Sequence, residues 1–177
     1  MKMLKKLLAV VLTGAMALTL LTACGSNAVR DKDIADALNN IVKLNDSEVT
    51  FTPRAKEREM AQKLAALLES HSEDDSNSAE LSAKIQGILG IDQGGVNENN
   101  FVWVQNALTD KLGAEGQAFQ VMESLTDKGG AYNFSSLGSK EPADTRYMGT
   151  ALCKIPDQKD NLVTVRVIVV TAKAEDE

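Results

Sequence analysis

The stretch Leu162 to Thr171 restricts the fold more than any other. Val163, Val165, Val167, Ile168, Val169 and Val170 make it β-branched at most positions, which suits a strand and crowds a helix. A strand that is apolar at successive positions needs cover on both faces. Just before it, Tyr147 to Lys154 is a second strand-like run, and Pro156-Asp157-Gln158-Lys159-Asp160-Asn161 between them is rich in turn formers. The pair reads as a β-hairpin. A lone hairpin is marginal in water, so Phe101-Val102-Trp103-Val104 is expected to add a third strand.

The cover has to come from upstream. Ile34, Leu38, Ile41 and Leu44 recur at helical spacing from Asp33 onward. Thr52-Pro53 reads as an N-cap followed by proline at the first helical position. It would open a second helix with Met60, Leu64, Leu67 and Leu68 as its stripe. Glu69 to Asn77 is a polar break. Asn77 and Glu80 have capping-box spacing ahead of Leu81, Ile85, Ile88 and Leu89, and Gly90 suits the stop. Ala114 to Leu125 reads as a fourth helix, with Ala118, Val121 and Met122 on one side, and Thr126 to Thr145 as a loop. Helices first and strands late predict an α+β domain over residues 33–172. About four helices would pack on a small antiparallel sheet that ends in the C-terminal hairpin, followed by an acidic tail over 173–177.

The amino terminus bears on location. Lys2, Lys5 and Lys6 precede an apolar run from Leu7 to Leu20, about 14 residues long and too short to span a bilayer. That is the pattern of a secretory signal. Leu21-Thr22-Ala23-Cys24 resembles the bacterial lipobox, which implies cleavage before Cys24 and acyl chains on its thiol. The expectation is a signal peptide over 1–23, a lipidated tether over 24–32, and a domain on the extracytoplasmic face of the cell membrane. Removing 1–23 takes away three lysines and no acid, leaving 16 basic against 25 acidic residues and a net charge near −9. Such a balance argues against nucleic acid and against electrostatic docking onto anionic lipid or teichoic polymers. With Cys24 acylated, Cys153 has no cysteine to pair with, and its apolar alternation reads as a buried small hydrophobe.

The order of pieces resembles the CAP superfamily of cysteine-rich secretory, antigen-five and pathogenesis-related proteins, especially its small bacterial members. Ala37-Leu38-Asn39 stands where the family's first helix carries an Asn. Leu64-Ala65-Ala66-Leu67-Leu68-Glu69-Ser70-His71-Ser72-Glu73-Asp74 stands where its second helix ends. Asn97-Glu98-Asn99-Asn100-Phe101 stands in place of Gly-Glu-Asn-Ile-Ala, and Tyr147-Met148-Gly149-Thr150-Ala151 in place of the closing Gly-containing strand. The resemblance implies an α-β-α sandwich and a cleft whose two His and two acidic residues can hold a divalent cation. This chain departs from it there. Asp127-Lys128-Gly129-Gly130 replaces the later His segment, and His71 falls on the family's non-ligand position. Only Glu98 is carried over, so the resemblance implies a degenerate member without the metal cleft and without cofactor.

Candidate chemistry is sparse. Pairing Cys153 with His71 as nucleophile and base fails on the apolar surroundings of the thiol, which raise its pKa. Glu69, Glu73, Asp74 and Asp75, and again Asp157, Asp160 and Asn161, lack the alternating spacing of a calcium loop. Gly87, Gly90, Gly94 and Gly95 read as helix stops and turns. Trp103 reads as core, with a ligand-lining position at a sheet edge as the other reading. Glu98, Asn99 and Trp103 are thus the candidate ligand contacts, and no catalytic or metal-binding residue is assigned. The size is too small for a two-lobed importer subunit. The expected role is a non-catalytic binding or interaction module of the envelope, whose partner is a cell-wall component, an apolar small ligand or another envelope protein. The alternatives are a hydrolase using carboxylates near Glu98 and the Gly129 to Asp144 loop, and a structural protein with no small ligand.

Overall fold

The computed structural model describes residues 29–45, 47–70, 78–91, 100–108, 112–126, 142–156 and 161–174. Cys24, His71, Glu98, Asn99, Asp127 to Gly130, Asp157 and Asp160 lie outside them, as do the side chains of 101–111, Trp103 included.

The elements run α1 (Asp31–Lys43), β1 (Thr50–Pro53), α2 (Ala55–Ser70), α3 (Ser78–Leu89), β2 (Asn100–Leu108), α4 (Ala114–Thr126), β3 (Pro142–Pro156) and β4 (Leu162–Ala174). Among the described residues, the α+β class and the four helices stand as expected. Strand β4 lies inside the sheet, in the order β1-β3-β4-β2. It pairs antiparallel with β3 across the hairpin and with β2 along all nine residues of that strand, where Trp103 lies opposite Val170.

Both faces of β4 are covered, and residues 165–172 are buried without a gap. Ile168 and Val170 meet Ile34, Ala35, Leu38 and Val42 of α1 and Ala118 and Val121 of α4. Val165, Val167 and Val169 meet Ala61, Leu64 and Ala65 of α2 and Leu89 at the end of α3. The domain is therefore three layers, with the sheet between two helix pairs. Burying one such side chain is worth roughly 1.5–3 kcal/mol, so the β-branched run accounts for much of the core.

The expectation of a wholly antiparallel sheet is corrected by β1, which pairs parallel to β3 from Thr50 opposite Thr145 to Pro53 opposite Met148. Thr52 and Pro53 end this strand instead of capping a helix, and α2 starts at Ala55. Phe51 is the cause: it is buried in the α1/α4 core, which fixes its neighbours in extended backbone. Proline is tolerated there because β1 is an edge strand. That edge is also closed: Asn39 Oδ1 accepts from Phe51 N–H at 2.7 Å and Asn39 Nδ2 donates to Phe51 C=O at 2.9 Å. A side chain of α1 thereby takes the hydrogen-bonding place of another strand.

Two smaller expectations also shift. Leu44 is not part of the α1 stripe; it is the C-cap and 60 % exposed. In α2 the buried stripe is Ala61, Leu64 and Ala65, with Met60 and Leu68 at its margin, because small residues let the helix lie close to β3. Gly90 ends α3 with φ +68°, the left-handed conformation a C-terminal glycine supplies. The packed structure reaches back to Val29, which lies against the α1/α4 core ahead of α1. No helix among the described residues is long and apolar enough to cross a membrane.

Candidate functional site

Among the candidate contacts, only the backbone of Trp103 is described, in β2. The polar chemistry of the domain is concentrated elsewhere. Arg166 interrupts the apolar run of β4 and its side chain lies on the α1/α4 side of the sheet, only 4 % exposed. A buried guanidinium is costly unless its donors are met. Arg166 Nε donates to Gln117 Oε1 of α4 at 2.8 Å, Nη1 to Thr150 Oγ1 of β3 at 2.9 Å, and Nη2 to Val29 C=O at 2.8 Å. Burial lowers the guanidinium pKa, and Asp31 and Asp33 oppose that shift.

Asp31 opens α1 beside it. Thr150 Oγ1 donates to Asp31 Oδ1 at 2.5 Å and Arg58 Nε of α2 to Asp31 Oδ2 at 2.7 Å. Gln117 Nε2 donates in turn to Leu112 C=O at 2.8 Å. One polar network thus joins α1, α2, α4, β3 and β4. Above it is an open groove of about 490 Å³ lined by Val29, Arg30, Asp31, Arg58, Gln62, Thr150, Ala151, Leu152 and Arg166. Three cations and one carboxylate face a cavity in an otherwise acidic protein. Sequence reading missed this site, although an arginine amid six valines and isoleucines was a visible signal of a buried, partnered charge.

A second polar cluster sits across the sheet. Glu57 of α2 is fully buried. Arg54 closes on it through Nε, at 2.6 Å, and Nη2, while Thr171 Oγ1 donates at 2.7 Å. Desolvation raises the Glu57 carboxyl, but these hydrogen bonds outweigh it and hold the group below its ordinary value. Arg54 also stacks 3.7 Å from the centre of the Tyr147 ring. Both charges here are matched, and the role of the cluster is to seat α2 on the sheet.

Cys153 is buried in the α2/α3 core, as expected. Burial first, and the nearby Glu69 second, push its thiol up to about 11. Glu69 is otherwise occupied, its Oε1 accepting from Lys154 N–H at 2.8 Å. The folded state holds the thiol proton to higher pH than the unfolded chain does. The stability it contributes is complete below the ordinary thiol pKa and is lost as pH rises from about 9 towards 11. A tenfold change in proton affinity is worth about 1.4 kcal/mol. In urea unfolding, the native chain should therefore lose about 2 kcal/mol more than Cys153→Ala between about pH 8 and pH 11. Equal losses in the two proteins would contradict a buried neutral thiol.

Among the described residues no group of three His, Cys, Asp or Glu side chains converges to hold a metal. No family model, no curated protein and no solved structure matches the chain.

Proposed function

We propose that the chain is a lipid-anchored protein of the cell envelope whose α+β domain acts as a non-catalytic binding module on the extracytoplasmic face. The binding reading is carried by the groove over Arg166. It is rich in donors, and both oxygens of its carboxylate, Asp31, are already engaged by Thr150 and Arg58. The anchor rests on Leu21-Thr22-Ala23-Cys24 behind a basic, apolar start. At roughly 0.8 kcal/mol per buried CH₂, two or three acyl chains hold such a domain at a membrane.

The domain reads as a degenerate CAP fold. Support comes from the order of its elements, from the three layers, and from Asn39 in the first helix gripping β1. The missing imidazoles stand against the family's cation cleft in this chain. The partner is of envelope origin: a cell-wall component, an apolar small ligand or another envelope protein.

The anchor is tested on the native chain from a membrane fraction. Intact-mass and N-terminal peptide spectra should show loss of residues 1–23 and two or three acyl groups on Cys24. A full-length, unmodified chain recovered from the cytosol would overturn the assignment.

A further inference from the structure

The groove has a sign and a shape of its own. Arg30, Arg58 and Arg166 line it with one lining carboxylate, Asp31, which is 7 % exposed and already accepts two hydrogen bonds. Asp33 beside the groove pairs with Arg30, so three positive charges face two negative ones. Arg58 spends only Nε on Asp31. Its two Nη groups make no bond to a described residue, and its side chain is 51 % exposed. Arg30 meets Asp33 through Nε and Nη2, and its Nη1 makes no bond to a described residue. Arg166 sits below with three donors fixed by protein acceptors, a stationary positive charge that cannot swing out to pair elsewhere. Ala151 and Leu152 supply an apolar flank, and Leu152 is the one exposed large hydrophobic among the described residues that borders the groove. A pair of planar N–H groups beside a fixed buried cation matches a tetrahedral oxyanion.

We infer that this groove binds a phosphate-type oxyanion, presented by a lipid headgroup or free in solution, with Arg58 as its direct ligand and Arg166 as the buried positioning charge. The inference adds a ligand class beyond the partners named above and rests on the binding-module reading for its location. Val29 is both a wall of the groove and the point where the chain arrives from position 24. Five residues reach at most about 18 Å when fully extended. With Cys24 acylated, the groove therefore stands within reach of the headgroups of the membrane that holds it. Net acidity argues against electrostatic docking on anionic lipid, but the groove departs from that balance locally, with Arg30, Arg58 and Arg166 against Asp31 and Asp33.

The test uses the full chain purified in a neutral detergent, with its mass measured on the same sample so that failure of the anchor is read separately. Calorimetric titration with inorganic phosphate and with dihexanoylphosphatidylglycerol should give saturable binding of at least one probe. A lipid bound about tenfold tighter than phosphate assigns the headgroup, and phosphate bound as well or better assigns the free ion. Arg58→Gln should weaken binding about tenfold, Arg58→Lys about threefold because it keeps charge without the fork, and Arg30→Gln about threefold. Lys63→Gln removes a charge from α2 outside the groove and should change affinity less than about twofold. If Arg58→Gln does not fold, Arg58→Lys and Arg30→Gln carry the test. Absence of binding by both probes, or Arg58 and Arg30 variants that bind like Lys63→Gln, would overturn the assignment.

Discussion

Gly149→Ala is expected to cost at least about 4 kcal/mol, a large part of the roughly 5–15 kcal/mol that holds a typical domain folded. A Cβ at 149 would stand 2.0 Å from Arg58 N, 2.3 Å from Glu57 C and 2.4 Å from Arg58 Cα. These are backbone atoms of α2, so no side chain can swing aside to make room. The close approach has a structural origin. Only Arg54 separates β1 from α2, and its N–H donates to Met148 C=O at 2.8 Å, which pins the start of the helix against β3. Glu57, held by Arg54 and Thr171, pins it again one turn later. Relief would require α2 to lift off the sheet, losing the Glu57 cluster and the packing of Ala61 and Leu64 together. Urea unfolding or a thermal melt gives the answer. A Gly149→Ala protein that melts within about 3 °C of the native chain would show that α2 shifts freely on β3, contrary to the seam described.

Arg166→Met is expected to destabilise by about 2–4 kcal/mol, a fall of roughly 6–12 °C in Tm for a domain of this size. The mean volume of the side chain is nearly kept, so cavity formation is a small part of the effect. What is lost is satisfaction: Gln117 Oε1, Val29 C=O and the acceptor side of Thr150 Oγ1 each lose their donor. Gln117 is fully buried and cannot turn to water. Opposing this, the substitution removes the desolvation cost of the guanidinium itself, which is why the expected loss stops short of the largest values for broken buried charges. The double variant Arg166→Met with Gln117→Leu separates the two contributions. Replacing both partners by apolar groups should recover about half of the loss, whereas an additive or greater loss would mean that the hydrogen bond between them is not the source.

Much of the architecture could be read from the chain in order. The period of Ile34 and Leu38, the stripe of Leu81 to Leu89 with Gly90 behind it, and the β-branched residues of β4 are local patterns set by helix and strand geometry. They determined the helices, the hairpin and the need to cover β4 on both faces, and the apolar alternation around Cys153 was enough to place that thiol in the core. The parallel edge strand was not legible, because four residues ending in proline carry too little pattern. What extends them is the burial of Phe51 and the grip of Asn39, contacts made only once α1 is in place. The groove was hidden for the same reason: Asp31, Arg58, Thr150 and Arg166 lie on four different elements and have no spacing relation in sequence. Local periodicity determined which segments are helix or strand, and which of their faces are apolar. Only the packing of α1 and α2 against opposite faces of the sheet decided which charges were buried, which were matched, and which three arginines meet around one opening.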